Sequence, residues 1–165
     1  MEKAVKLRNM TSIYLCRGDK ILLLFRQGSK VADKMWIGSA GGHFEEAELN
    51  DPQACVLREL KEELSITEDM LSGLRLRYLT IRGAKGEIRQ NYYFFAQLSE
   101  NAPADLISNE GTLKWFGLDE LMQLEMPFSA KFMMEHYLSV GRHNEKIYAG
   151  ASDGEKVVFT ELPLF

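Results

Sequence analysis

A chain of 165 residues, 45% hydrophobic and 27% charged, suits one domain with a full core and leaves little room for a second. Its 20 basic and 24 acidic residues give a net charge of −4 without a long basic run, which argues against gripping a nucleic-acid polymer through bulk charge. No apolar run reaches membrane-spanning length, and "MEKAVKLRNM" lacks the apolar core of a secretory leader, so a cytoplasmic single domain over 1–165, with no membrane partner, is expected.

In chain order, "TSIYLC" (Thr11 to Cys16) and "ILLLFRQ" (Ile21 to Gln27) predict two strands, joined as a hairpin through "RGDK". "GSKVADKM" reads as a polar loop, and "WIGSAGGHF" as one short strand whose glycines imply close approach of backbone to a neighbour. Asp51 suits an N-cap and Pro52 a first helical position, which predicts a helix from there to about Leu64. "LRLRYLTIRG" (Leu74 to Gly83) and "EIRQNYYFFAQL" (Glu87 to Leu98) predict a long hairpin around "AKG", followed by a strand at "TLKWFGL" (Thr112 to Leu118). "SAKFMMEHYLSV" (Ser129 to Val140) carries an apolar stripe at helical spacing, and "KIYAGA" with "KVVFTEL" predicts a closing hairpin. Strands outnumber helices and come as hairpins, so the class is α+β, a mixed sheet with helices on its faces. Cys16 and Cys55 both sit in apolar runs and read as small buried hydrophobes rather than a disulfide.

The first helix holds an unusual group of acids. At roughly 100° per residue, Glu59, Glu62 and Glu63 share an arc of about 100°, while Ala54, Val56, Leu57, Leu60 and Leu64 cover the opposite side. Three carboxylates at that spacing repel one another. "RELKEEL" alone reads first as a solvated face diluted by Arg58 and Lys61; the sharper alternative is an oxygen-ligand site for Mg²⁺ or Mn²⁺.

The wider stretch resembles the Nudix box. Gly42 is followed after five residues by Glu48, and "RELKEELSI" supplies Arg58, Glu59, Leu60, Glu62, Glu63 and Ile66 at the motif's positions. Trp36, Ile37 and Gly38 match the Trp-any-Gly that often precedes it. The chain departs from the pattern twice: nine residues rather than seven separate Glu48 from Arg58, and Ser65 stands at the final glycine. The resemblance implies a Nudix-like mixed sheet between helices and a Mg²⁺-dependent (or Mn²⁺-dependent) diphosphate hydrolase. It implies metal ligation by Glu59, Glu62, Glu63 and the Gly42 carbonyl. Arg58 is then expected to orient the carboxylates through Glu48, and one acid to accept the proton of the attacking water. Glu110, shortly before Trp115, stands where several members place a further acid; a plain surface acid is the alternative. Glu87 in its turn and His43 beside the box are weaker candidates.

The run "LKWFGLDELMQLEMPFSAKF" (Leu113 to Phe132) resembles the oxidised-purine triphosphate hydrolases of that family, which implies a nucleoside triphosphate cleaved to monophosphate and pyrophosphate. Some of those enzymes read the purine with an acidic pair after a proline, where this chain has Phe128 and Ser129 after Pro127. Trp36, Tyr93 and Phe128 are the candidates for stacking on a base. The alternatives are ADP-ribose or a nucleoside diphosphate sugar as substrate, and a ligand-sensing module without turnover. The expected partner is a small nucleotide, with a homodimer left open.

Overall fold

The computed structural model describes residues 3–28 and 33–164. Strand β1 (Lys6–Arg17) turns through Gly18, whose φ of 62° is easy only for a residue without Cβ, into β2 (Lys20–Arg26). Then follow β3 (Met35–Ile37), β4 (Ala40–His43), helix α1 (Pro52–Leu64), the long hairpin β5 (Leu71–Ala84) and β6 (Glu87–Leu98), and β7 (Gly111–Gly117). Helix α2 (Phe128–Ser139) and the hairpin β8 (Ile147–Ser152) and β9 (Val157–Leu162) complete the described chain.

The strands form one mixed sheet in the order β3-β2-β1-β6-β5-β8-β9, with β4 also on β1 and β7 also on β2. Two pairs, β1 with β6 and β5 with β8, are parallel; the rest are antiparallel. Side chains alternate across this sheet and divide the core in two. Ile13, Leu15, Leu22, Phe94 and Ala96 meet Val56, Leu60 and Leu64 of α1. Tyr14, Leu23, Tyr93 and Phe95 meet Ala130, Met133 and Met134 of α2. The fold is therefore α+β, with one helix on each face.

The sequence expectation differs from the structure mainly at three places, and β5 also starts at Leu71 rather than Leu74. "WIGSAGGHF" forms two strands, because β3 pairs with β2 whereas β4 pairs with β1, and the chain changes partner at Gly38 and Ser39. A Cβ at Gly38 would run into the Ser12 hydroxyl, and one at Gly41 into the Thr11 carbonyl, so both glycines answer to close backbone approach. Strand β1 starts five residues earlier than its apolar run, held by parallel pairing from Lys6↔Glu87 onward. Of the expected polar loop, residues 29–32 lie outside the described residues, and Met35 belongs to β3. Cys16 and Cys55 are buried and free, in keeping with small hydrophobes.

Helix α1 starts where capping chemistry sets it: the Asp51 carboxylate accepts from Ala54 N at 3.0 Å, and Pro52 follows. It ends at Ser65, which takes the left-handed conformation (φ 56°, ψ 29°) while Ser65 N donates to Lys61 O at 3.1 Å. A Cβ is strained there. Ser65→Gly is expected to stabilise the protein by about 0.5–1 kcal/mol net of the freer unfolded chain, visible as a melting temperature roughly 1–4 °C higher. An unchanged or lower melting temperature would mean that the serine side chain offsets its backbone strain.

Candidate active site

Arg58 organises the acids. Its guanidinium grips Glu48 with two bonds, Nε to Oε2 at 2.8 Å and Nη2 to Oε1 at 2.9 Å, although two extra residues separate the pair in sequence. The added length lies in the turn through Leu49 and Asn50, closed by Asp51 N donating to Glu48 O at 2.8 Å, and Glu48 itself, at the end of the 3₁₀ turn Glu46–Glu48, is only 7% exposed. Nη1 donates to Glu59 at 2.9 Å and to Glu62 at 3.1 Å, and Nη2 to the His43 carbonyl at 3.0 Å. The guanidinium holds the Glu48 carboxyl down at about 2, and the carboxylates raise Arg58 above its ordinary value.

The three helix acids have different fates. Glu62, with its side chain 56% exposed, points outward along Arg58. Glu59 packs against the Gly42 backbone so closely that a Cβ on Gly42 would collide with its carboxylate. Glu63 turns inward and accepts from Gly41 N at 3.1 Å. Burial pushes the Glu63 carboxyl up to about 7, with smaller help from the charges of Glu59 and Glu110; burial also raises Glu59. Clustered carboxylates that resist ionisation gain from a bound cation.

Among the described residues, no three acidic, histidine or cysteine side chains converge as a ready metal cage. Glu59 and Glu62 each give one oxygen to Arg58. The donor set still fits a hard divalent cation. Glu59, Glu63 and the backbone of Gly42 line one cleft of about 460 Å³, and the space a Cβ would fill at Gly42 belongs to the Glu59 carboxylate. Glu62 is not among that cleft's lining residues.

A second cavity of about 400 Å³ adjoins the cleft on the α2 face. Arg8, Met10, Arg26, Gly41, Glu63 and Glu110 line both. Glu110 lies 3.6 Å from Arg26 and lines the cleft together with Glu59 and Glu63. Tyr93 forms part of the cavity wall while only 4% exposed, and burial raises its phenol to about 12. Phe128 also lines the cavity, with the Arg82 guanidinium 4.3 Å from its ring centroid. Trp36 does not. Alternation along β3 gives Met35 and Ile37 to the cavity and sends the indole between Phe25 and Phe116, at 4.9 and 4.7 Å between centroids. His43 sits at the cleft with Nε2 3.1 Å from Arg8 Nη2, and burial lowers its pKa. Glu87 lies in ion pairs with Arg8 and Arg89 rather than beside the helix acids.

Sequence reasoning missed the arginines Arg8, Arg26, Arg82 and Arg89, all of which line the deeper cavity. Arg26, Arg82 and Arg89 stand near the ends of strands that read as ordinary, Arg8 precedes the expected start of its strand, and strand register alone brings them together.

The family model for the NUDIX domain matches residues 6–137. No curated protein is significantly similar to the chain in sequence. Among solved structures, the mutator MutT protein of Bacillus halodurans is similar at 22% identity and a TM-score of 0.64, over 96% of this chain and 99% of that one. A MutT protein of Methanosarcina mazei Go1 is similar at 18% identity and a TM-score of 0.67, over 88% and 100%. An Ap4A hydrolase of C. elegans is similar at 20% identity and a TM-score of 0.63, over 85% and 100%. At these identities the three establish a shared fold.

Proposed function

The chain belongs to the NUDIX family of pyrophosphohydrolases, and from that premise we propose that it hydrolyses a nucleoside triphosphate to the monophosphate and pyrophosphate, with Mg²⁺ or Mn²⁺. Domains of this family generally use divalent metals and act on small nucleotide derivatives. One domain over 1–165, acting in the cytoplasm, would carry the reaction. The observation that supports this best is the junction of the two cavities: a carboxylate cleft opens directly into a space of about 400 Å³, within the usual size of a small-molecule site.

The residues divide the work by position. Glu59, Glu63 and the Gly42 carbonyl would hold the metal, with Glu62 at the margin. When bound, the metal would neutralise phosphate charge and stabilise the leaving oxygen. Arg58 positions rather than reacts, since Glu48, Glu59, Glu62 and the His43 carbonyl occupy its donors. Arg26 and Arg8, at the junction, face the phosphate chain. Glu63, half-buried at the junction of the two cavities and accepting from Gly41 N at 3.1 Å, is placed to take the proton of the attacking water. Phe128 offers a ring to the base, and Asn91 an amide in the cavity wall, in place of an acidic pair. An oxidised purine remains within this reading. ADP-ribose, a nucleoside diphosphate sugar and a dinucleoside polyphosphate (the substrate in the name of the C. elegans relative) belong in the same test.

A panel of these compounds incubated with Mg²⁺, with products separated by chromatography, tests the proposal. Monophosphate plus pyrophosphate is the expected outcome, abolished by excess chelator. Direct release of orthophosphate, or turnover undiminished in chelator, would overturn it. Binding without turnover would leave a ligand-sensing module. Within the same assay, Glu110→Gln should lower kcat more than it raises KM, because a contact made mainly in the transition state behaves so. Wild-type kinetics would return Glu110 to a surface ion pair with Arg26.

A further inference from the structure

Hydrolysis beside the carboxylate helix does not explain why four arginines line a cavity in a chain of net charge −4. Three of them are placed by register. Arg8 on β1 stands opposite Arg89 on β6, and Arg89 stands opposite Arg82 on β5. Residues paired in register project to the same face, so the three make a row across adjacent strands. Like charges directly opposite one another destabilise a sheet.

Compensation from the chain itself is partial. Glu87, one row further out, lies 3.8 Å from Arg8 Nη1 and 3.4 Å from Arg89 Nε. Arg82 has no carboxylate within ion-pair distance among the described residues and rests over the Phe128 ring. The Arg8 Nε is buried with no hydrogen-bond acceptor among the described residues. One carboxylate thus serves two of the three guanidinium groups, and the third has none among the described residues. Arg8 lines both cavities, whereas Arg82 and Arg89 line only the deeper one, so the row leads away from the carboxylate cleft.

We infer that the Arg8–Arg89–Arg82 row is a second phosphate subsite, taking a phosphoryl group of the substrate other than the phosphates held beside Glu59 and Glu63. The inference deepens the nucleotide-hydrolase proposal and rests on it for the identity of the ligand. The chemistry is that of planar forked donors meeting the oxygens of a phosphate dianion, for which arginine is better suited than lysine. Two sources supply such a group: the terminal phosphate of a 5′-triphosphate, and a phosphate on the 2′ or 3′ position of the sugar.

The test uses the full chain with chelator and inorganic phosphate, and needs neither metal nor turnover. Phosphate is titrated while the arginine Nε–H resonances are followed by NMR, with Arg75, exposed and paired to Glu145 at 2.7 Å, as the control for bulk charge. The resonances of Arg8, Arg82 and Arg89 should shift together and saturate, and Arg89→Gln should weaken binding by roughly tenfold or more. Should Arg89→Gln fail to fold, as its amide spectrum would show, Arg82→Gln gives the same reading. Absence of saturation, equal response at Arg75, or unchanged affinity in a folded variant would overturn the subsite. Displacement of phosphate by a 5′-triphosphate but not by a 2′,5′- or 3′,5′-bisphosphate assigns the terminal phosphate; the converse assigns the sugar phosphate. Phosphate that neither displaces is not in the substrate's place, which overturns the inference. A protein that binds phosphate here yet hydrolyses nothing with Mg²⁺ refutes the catalytic proposal alone.

Discussion

Glu63→Gln is expected to lower kcat by about 10²- to 10⁴-fold, the range for loss of a positioned general base. In chelator the same substitution should make the protein more stable. The amide keeps an oxygen for Gly41 N, which now donates to Oε2 at 3.1 Å, and removes a half-buried carboxyl. The pH dependence has a definite sign. An unfolded glutamate ionises near its ordinary value of 4.5, whereas the folded carboxyl holds its proton to about 7. The wild-type protein therefore loses stability as pH rises from about 4.5 to about 7 and no further above that. The advantage of Glu63→Gln should open across that window and then stay constant. Mg²⁺ should narrow or reverse it, because binding to the folded state favours the variant that keeps its ligand. Melting curves at pH 4.5, 6 and 8, with and without Mg²⁺, read all of this. A variant less stable than wild type at pH 8 in chelator, with activity retained, would make Glu63 a structural acid.

Arg58→Ala should have the largest effect on stability. It strips Glu48 of both guanidinium bonds while the acid stays 7% exposed, and loss of one partner from a buried pair costs about 3 kcal/mol. The sign is opposite to that of Glu63. Arg58 depresses the Glu48 carboxyl to about 2, so the stabilisation is complete above about 4.5 and is lost as pH falls through about 2. The difference in melting temperature between wild type and Arg58→Ala should be greatest at neutral pH and shrink in acid. Activity should fall by roughly 10- to 100-fold, as when a residue that orients metal ligands is removed. A gap that stays constant from pH 7 to pH 3 would show that Arg58 acts through packing of its stem rather than through Glu48.

The local part of this protein could be read from its sequence because the forces that set it are local. Asp51 and Pro52 start α1, and a 3.6-residue repeat puts Glu59, Glu62 and Glu63 on one side with Val56, Leu60 and Leu64 on the other. Alternation in "NYYFFAQL" gives two rows: Tyr92, Phe94 and Ala96 pack under α1, whereas the row of Asn91, Tyr93 and Phe95 is core toward α2 at Phe95 and cavity wall at Asn91 and Tyr93. Periodicity defined the acidic arc without saying which part of it meets the cleft. That was decided by where β4 crosses the helix: Gly41 offers its N–H to Glu63, Gly42 leaves room for Glu59, and Glu62 is left outside. Trp36 likewise carries no mark of its direction in sequence; the pairing of β3 with β2 turns it toward Phe116. The arginine row lies furthest from what a sequence can state. Arg8 is separated from Arg82 and Arg89 by three strands and helix α1, and only the parallel register of β1 on β6 and the antiparallel register of β6 on β5 set the three side by side. Helical and strand periods are properties of neighbouring residues, whereas strand partners and their register are chosen by burial of the whole sheet between its two helices.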